Sequence, residues 1–219
     1  MARNRFEREL ETLHNDLISL GALIEEAIEK SVKALVTQDE SLARGVIEDD
    51  KKIEIMADRI ESQALKILLR QQPVASDLRT ISTALKIVTD MERIGAQARD
   101  ICGIVLHLCD EEYRTKLVVI PQMAEKAKQM VNQCVDAFVR LDAGLCRQVV
   151  EMDSEVDALF LKSKDSMIKL ISEQPAYADQ AIYLMMVAKY FEKIGDHAEN
   201  IAQWVIFCAT GERKGGKIL

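Results

Sequence analysis

The sequence contains few glycine and proline residues, which interrupt helices, and few aromatic residues. Its 219 residues include only 9 glycines and 3 prolines, which favours long helices because both residues are unfavourable in a helix interior. Aromatic side chains make up 5% of the chain, which argues against a β-sandwich and against a base-stacking platform for single-stranded nucleic acid. The formal net charge of −7 further disfavours nucleic acid or anionic lipid as the main ligand.

The cysteines and the apolar segments exclude other classes of protein. The five cysteines are odd in number and include no C-x-x-C pair, so neither a disulfide framework nor a zinc site is indicated. No apolar run reaches the roughly 20 residues that a membrane-spanning helix needs, and the opening MARNRFEREL lacks the apolar core of a signal peptide. We therefore expect a cytoplasmic protein that contacts membranes only through its partners.

Catalytic motifs are also missing from the chain. There is no glycine-rich phosphate loop, no G-x-S-x-G and no H-E-x-x-H. A single Glu-x-x-His pair, Glu11 with His14, falls short of the two such pairs that a di-iron carboxylate bundle uses. The sequence thus predicts a protein without enzymatic activity.

What the chain does contain is helical periodicity. Apolar residues recur at spacings of three and four almost throughout. Pro73 and Pro175 should each end one helix and start the next, and Asp39 and Asp142 should cap helix N-termini. These signals predict six helices, over 4–37, 39–71, 74–110, 117–141, 143–173 and 176–210.

The two halves of the chain resemble each other. Residues 34–50 and 137–153 are identical at eight of seventeen positions, and residues 92–101 and 192–201 at five of ten. Such self-similarity indicates an internal duplication. We therefore predict an all-α fold of two pseudo-symmetric three-helix bundles. The predicted halves are residues 1–112 and 113–219.

Pairs of carboxylates four residues apart are the candidate site. This spacing puts both side chains on one helix face, where like charges repel unless a cation relieves them. Oxygen-only groups favour hard ions such as Mg, Ca, Mn or ferric iron. The same pattern also fits an ordinary solvated face in a chain with 30% charged residues. The pairs are Asp50 with Glu54, Asp153 with Asp157, and Glu192 with Asp196.

Two glycines recur inside predicted helices, each within Glu-[Arg/Lys]-Ile-Gly. Glycine in a helix interior costs about 1 kcal/mol relative to alanine, so Gly95 and Gly195 predict a close approach between helices. Because Phe191 and Ile194 should face the core, we expect the neighbouring carboxylates to lie on the bundle surface. His197 is also expected at the surface.

These motifs together resemble the PhoU family of phosphate-uptake regulators over essentially the whole chain. The resemblance is carried by the duplicated E-[RK]-I-G-x-x-A-x-[DN]-I, the paired D-x-x-x-[ED] segments and the S-D-L-R stretch at 76–79. It implies two symmetrical three-helix bundles and a negative regulator that keeps the phosphate-starvation (Pho) regulon off when phosphate is plentiful. It further implies a cytoplasmic homodimer that links the ATPase subunit of the phosphate ABC importer to a sensor histidine kinase.

The resemblance also implies where metal would bind, because some members hold iron or other metal clusters on their surface through E/D-x-x-x-D motifs. The family's aspartate after Ile-Gly is Ala96 in the first half of this chain, and Asp100, one turn on, is the expected substitute. The second-half ligands carried over from the family are Asp153, Asp157, Glu192 and Asp196. The first-half ligands are Asp50, Glu54 and Glu92, with Asp100.

Three functions are consistent with these observations. A signalling adaptor without chemistry of its own is favoured by the surface carboxylates and the missing catalytic motifs. A carboxylate-cluster protein for metal binding or storage is the alternative, although metal catalysis needs open coordination positions in a water-excluding pocket. A coiled-coil scaffold is disfavoured because the heptads are broken.

Overall fold

The computed structural model describes residues 2–71, 73, 75–213 and 216–217. Six long helices account for nearly all of this part of the chain, as predicted. Their bounds agree with the predicted ones to within a few residues. The helices are α1 (Ala2–Thr37), α2 (Glu40–Gln71), α3 (Ala75–Leu108), α4 (Val119–Arg140), α5 (Ala143–Glu173) and α6 (Ala178–Thr210).

The turns after α1 and α4 are built alike, which confirms the two predicted N-caps. Gln38 and Leu141 adopt left-handed conformations with φ of 53° and 52°, and each is followed by an aspartate. Asp39 Oδ1 accepts a hydrogen bond from the Leu42 amide at 2.9 Å. Asp142 Oδ1 does the same for two amides of the first turn of α5, the nearer at 2.8 Å. An N-cap of this kind satisfies amides that have no partner within the helix.

No helix end differs from its predicted position by more than two residues. The third helix stops at Leu108, two residues early, where the Gln38 side-chain amide donates to the Leu108 carbonyl at 2.7 Å. The fourth begins at Val119, and the 3₁₀ turn Pro175–Tyr177 delays the start of α6 to Ala178. After α6, two-residue strands β1 (Glu212–Arg213) and β2 (Gly216–Lys217) pair antiparallel.

Each half forms a three-helix bundle, and the bundles pack together through α3 on α6 and α1 on α4. The third and sixth helices run antiparallel. Thr83 lies near the Trp204 carbonyl at 3.5 Å, and further along the His107 ring stacks on Tyr183 at 5.5 Å. Within the described residues, α2 and α5 touch no helix of the other half, so they form the outer sides of the molecule.

One continuous apolar core runs through both bundles. It includes large side chains with no more than 1% exposure, such as Leu17 of α1, Ile60 of α2 and Phe191 of α6. The boundary predicted between residues 112 and 113 falls in the linker between α3 and α4. No helix in the described part of the chain is long and apolar enough to cross a bilayer.

Candidate functional site

The predicted second-half residues lie in a cleft between α5 and α6. A Cβ atom on Gly195 would stand 3.2 Å from Asp153 Oδ1 and 3.4 Å from Val156 Cγ1, so glycine lets the two helices approach closely here. The predicted close approach is confirmed. We call this space the second cleft, lined by Asp153, Asp157, Glu192 and Asp196 around Gly195.

Two lysines of α6 reach into the second cleft. Lys189 Nζ lies 2.6 Å from Glu192 Oε1 and 5.2 Å from the centre of the Phe160 ring. Lys193 hydrogen-bonds Asp196 and lies 3.7 Å from Glu192 Oε2, and the bond to Asp196 raises the pKa of Lys193. These ammonium groups neutralise part of the charge that α6 brings to the cleft.

The remaining charge of the second cleft is poorly compensated. Asp153 Oδ1 and Glu192 Oε2 are buried and accept no hydrogen bond from any described residue. Burial, followed by the charges of Asp157, Glu199, Asp196 and Glu192, raises the pKa of Asp153 to about 6. Burial and the charges of Glu192 and Asp196 also raise the pKa of Asp157. A site with this environment favours any cation that can reach it.

The corresponding cleft of the first half lies between α2 and α3. A Cβ atom on Gly95 would stand 3.0 Å from two carbons of the Ile53 side chain and 3.4 Å from Asp50 Oδ1. Arg99 occupies this space: its Nη1 donates to Asp50 Oδ2 at 2.8 Å, and its Nε and Nη2 donate to Asp100 Oδ1 at 3.2 and 3.1 Å. We call the space between α2 and α3 around Gly95, lined by Asp50, Arg99 and Asp100, the first cleft. Two of its predicted ligands, Asp50 and Asp100, are therefore already held by a guanidinium.

The other two predicted first-half residues lie on the exposed side of their helices. Glu54 and Glu92 are exposed, and neighbouring carboxylates add to their negative charge. Partial desolvation of its carboxyl and the charges of Glu61, Asp58 and Glu54 raise the pKa of Glu92, and the charge of Arg93 opposes them. This stretch is an acidic helix surface without the compensation that Arg99 gives Asp50.

The predicted surface position fits some of these carboxylates but not others. Asp50 is 6% exposed and Glu192 is 9% exposed, because the glycine at each helix crossing draws the neighbouring helix over them. His197 also differs from expectation, since its ring lies between the two halves. Its Nδ1 is 2.8 Å from Asp90 Oδ1, and the two side chains are 17% and 15% exposed.

Sequence reasoning missed the charged residues that decide how the two clefts differ. Arg99 and Glu199 occupy the same position in E-R-I-G-A-Q-A-R-D-I and E-K-I-G-D-H-A-E-N-I. Aligning the two repeats therefore shows that a positive residue in the first half stands where the second half has a negative one. Lys189 carries no such signal, because one lysine on a charged helix is ordinary.

A sequence profile described as the PhoU domain matches this chain twice, over residues 17–105 and 120–205. Each match lies within one predicted half. The chain belongs to the PhoU family.

Individual relatives agree with this membership. A PhoU homolog of Clostridium acetobutylicum, named a phosphate-specific transport system accessory protein, is 35% identical over 214 residues, which are 97% of this chain and 98% of that protein. The Escherichia coli protein named phosphate-specific transport system accessory protein PhoU is 27% identical over 208 residues, covering 95% of this chain and 86% of its own. Both names describe accessory proteins of phosphate-specific transport.

A solved PhoU structure also matches closely. The crystal structure of PhoU from Pseudomonas aeruginosa is 34% identical and superposes with a TM-score of 0.91 over 94% of this chain and 99% of that one. A PhoU structure from Streptococcus pneumoniae, at 24% identity, has the same fold with a TM-score of 0.89. The two pseudo-symmetric three-helix bundles are therefore the PhoU fold.

The two clefts differ in how well they suit the metal clusters expected of the PhoU family. In the described residues, no three Asp, Glu, His or Cys side chains converge closely enough to hold a metal ion as they stand. The second cleft nevertheless has the right donors, because the buried oxygens Asp153 Oδ1 and Glu192 Oε2 have no hydrogen-bond partner. The first cleft does not fit, since Arg99 is bonded to Asp50 and Ala96 supplies no oxygen.

Proposed function

We propose that this protein is a regulatory accessory protein of a phosphate-specific transport system, and that it represses the phosphate-starvation (Pho) regulon when phosphate is plentiful. One observation carries the proposal: similarity over 97% of the chain to a protein named for that accessory role. The missing catalytic motifs and the all-helical build agree with a role in binding partners rather than in turnover.

The proposed mechanism is that of an adaptor on the cytoplasmic side of the membrane. Its partners are the ATPase subunit of the phosphate importer and a phosphate-sensing histidine kinase, and a homodimer is the proposed assembly. The outer helices α2 and α5 contact only their own half, so each offers a long solvated face to a partner. Exposed charged residues on such a face give specificity and a fast association rate.

Deletion of the gene tests the regulatory role. We expect alkaline phosphatase, or another phosphate-starvation reporter, to be high in deletion cells grown in ample phosphate and low again when the intact gene is restored. Activity that stays low in the deletion strain, in a cell with no second copy of the gene, would refute the proposed repression. Capture of the importer ATPase and of the kinase by the purified protein tests the adaptor role separately.

Metal binding in the second cleft is the second candidate function, favoured by two buried carboxylate oxygens that accept no hydrogen bond from the described residues. Asp153, Asp157, Glu192 and Asp196 would hold iron or another hard di- or trivalent ion, whose positive charge would neutralise the cleft. Lys189 and Lys193, which now pair with Glu192 and Asp196, would have to turn away. Metal analysis of protein purified without chelators tests this: we expect bound metal in the wild type and less in an Asp153→Asn, Asp157→Asn variant.

A further inference from the structure

The first and second clefts have the same backbone architecture. Asp50 and Asp153 occupy equivalent positions in the duplicated sequence, as do Gly95 and Gly195. In each half the aspartate Oδ1 lies against the glycine, 3.4 Å from a Cβ built on Gly95 and 3.2 Å from one built on Gly195. A difference between the clefts must therefore come from the side chains around this shared pair.

Those side chains differ mainly in charge. Residues 92–101 contain two acidic and two basic residues, whereas residues 192–201 contain three acidic residues and one lysine. Ala96 stands where the second half has Asp196, and Arg99 stands where it has Glu199. The first cleft thus has fewer carboxylates than the second and an additional cation, Arg99.

The contacts show what this additional cation does. Arg99 donates to Asp50, which is 6% exposed, and simultaneously to Asp100 on its own helix. A guanidinium stays charged at every physiological pH and donates through several N–H groups, so it neutralises a buried carboxylate permanently. In the second cleft no arginine occupies this position, and one oxygen of the equivalent aspartate, Asp153 Oδ1, is buried without a hydrogen-bond partner among the described residues.

We infer that Arg99 takes the place of a bound cation in the first cleft, so that the chain binds hard metal ions through its second cleft only. This inference rests on the metal role proposed above for the second cleft. The two halves of the duplicated chain are then functionally unequal. The Arg99 side chain neutralises the first cleft, and a bound metal ion neutralises the second.

The test is Mn²⁺ binding to the full chain, measured by titration calorimetry and by metal analysis of the protein after gel filtration. We expect saturable binding to the wild type that Asp153→Asn removes and Asp50→Asn leaves unchanged. The double variant Ala96→Asp, Arg99→Glu gives positions 96 and 99 of the first cleft the residues that the second half has at 196 and 199. It should bind about twice as much Mn²⁺ as the wild type, and Asp50→Asn should remove the gain. Arg140→Glu, an exposed change on α4 that makes the same Arg→Glu charge reversal as position 99, controls for added negative charge outside the cleft and should gain nothing.

The outcomes separate this inference from the proposals it builds on. Wild-type binding that depends on Asp50 as much as on Asp153 would overturn the inference and leave the metal role standing. No binding to the wild type would overturn both, while the reporter experiment would still decide the regulatory role. Failure of the double variant to gain binding, with its helical circular dichroism intact, would also overturn the inference.

A stability cycle tests the role of Arg99 without any metal. Arg99→Gln should lower Tm clearly, because it leaves Asp50 buried without its cation, and adding Asp50→Asn should restore much of the loss. Losses that simply add, with no recovery in the double variant, would show that Arg99 does not act as the counter-ion of Asp50. Arg140→Gln is the matched control and should leave Tm unchanged.

Discussion

Asp153 illustrates how the surroundings of a single carboxylate set its behaviour. Burial and four nearby carboxylates raise its pKa from 3.8 to about 6. A raised pKa means that the folded chain binds this proton more tightly than the unfolded chain, so stability declines as pH rises from about 4 to about 6. The ionised Asp153 therefore opposes folding at neutral pH.

This sign gives a prediction for metal-free protein. Asp153→Asn should raise Tm by a few degrees at about pH 8, where it removes an unfavourable charge, and by much less near pH 4, where the native carboxyl is already protonated. Thermal melts at both pH values, in the presence of a chelator, measure this. Glu151→Gln, an exposed change two residues earlier in α5, should give no such difference between the two pH values. An Asp153→Asn variant that is less stable than wild type at high pH would contradict the prediction.

Thiol chemistry is a second property that depends on the position of single residues. Burial raises the pKa of Cys102 and of Cys146 to about 12 and that of Cys134 well above its ordinary value. Cys208 is 5% exposed, so Cys109 is the most accessible thiol of the five. Because the thiolate is the reactive form, the four buried thiols should react slowly.

We therefore expect one thiol per native chain to react quickly with a maleimide, and all five after unfolding in denaturant. Mass spectrometry of the labelled peptides identifies the site. Cys109→Ser should abolish the fast phase, while Cys146→Ser should leave it intact. Rapid labelling of two or more positions in the folded protein would show that the helices open far more readily than their packing suggests.

At the scale of helices, Gly95 and Gly195 determine how closely two helices pack at each cleft. Gly95→Ala would place a methyl group 3.0 Å from two carbons of Ile53, a β-branched side chain with little freedom to move. Gly103 lies on the same helix with nothing within 4 Å of its added Cβ. The two glycines therefore separate the effect of crowding from that of helix propensity.

Gly95→Ala should destabilise the protein by about 1–3 kcal/mol, the usual cost of overpacking. Gly103→Ala should instead stabilise it by about 0.5–1 kcal/mol, since alanine is the better helix former and meets no neighbour. Urea unfolding of the two variants beside the wild type measures both. Similar stabilisation in both variants would mean that the first cleft can widen freely.

The helices were predictable from the sequence, and the state of each cleft was not. Asp39 and Asp142 set helix starts through contacts within one turn, which local sequence specifies directly. By contrast, Asp100 was expected to replace the missing aspartate as a ligand, but Arg99 pairs with it and with Asp50. That outcome depends on where α2 lies relative to α3, and periodicity alone carries no information about it.

At the scale of the whole molecule, the two halves are joined by packing as well as by the chain. The single tryptophan, Trp204 of α6, faces α3: Lys86 Nζ lies 5.8 Å from the centre of its ring. The hydrogen bond between His197 and Asp90 crosses the same α3–α6 interface, closer to the two clefts than Trp204 is. The buried apolar core is continuous across this interface. Separating the halves would expose the apolar side chains that α3 buries against α6 and α1 buries against α4.

Equilibrium unfolding should therefore be a single cooperative transition, because opening α3 from α6 exposes the core of both bundles. Trp204 fluorescence reports on the interface and far-ultraviolet circular dichroism reports on all helices, so the two urea curves should coincide. Asp90→Ala should shift both curves together to lower urea, since it leaves His197 without the partner that lies 2.8 Å away. If fluorescence changed first and half of the helical signal survived at higher urea, the bundles would be independent domains, and the interface would be a hinge between them rather than part of a shared core.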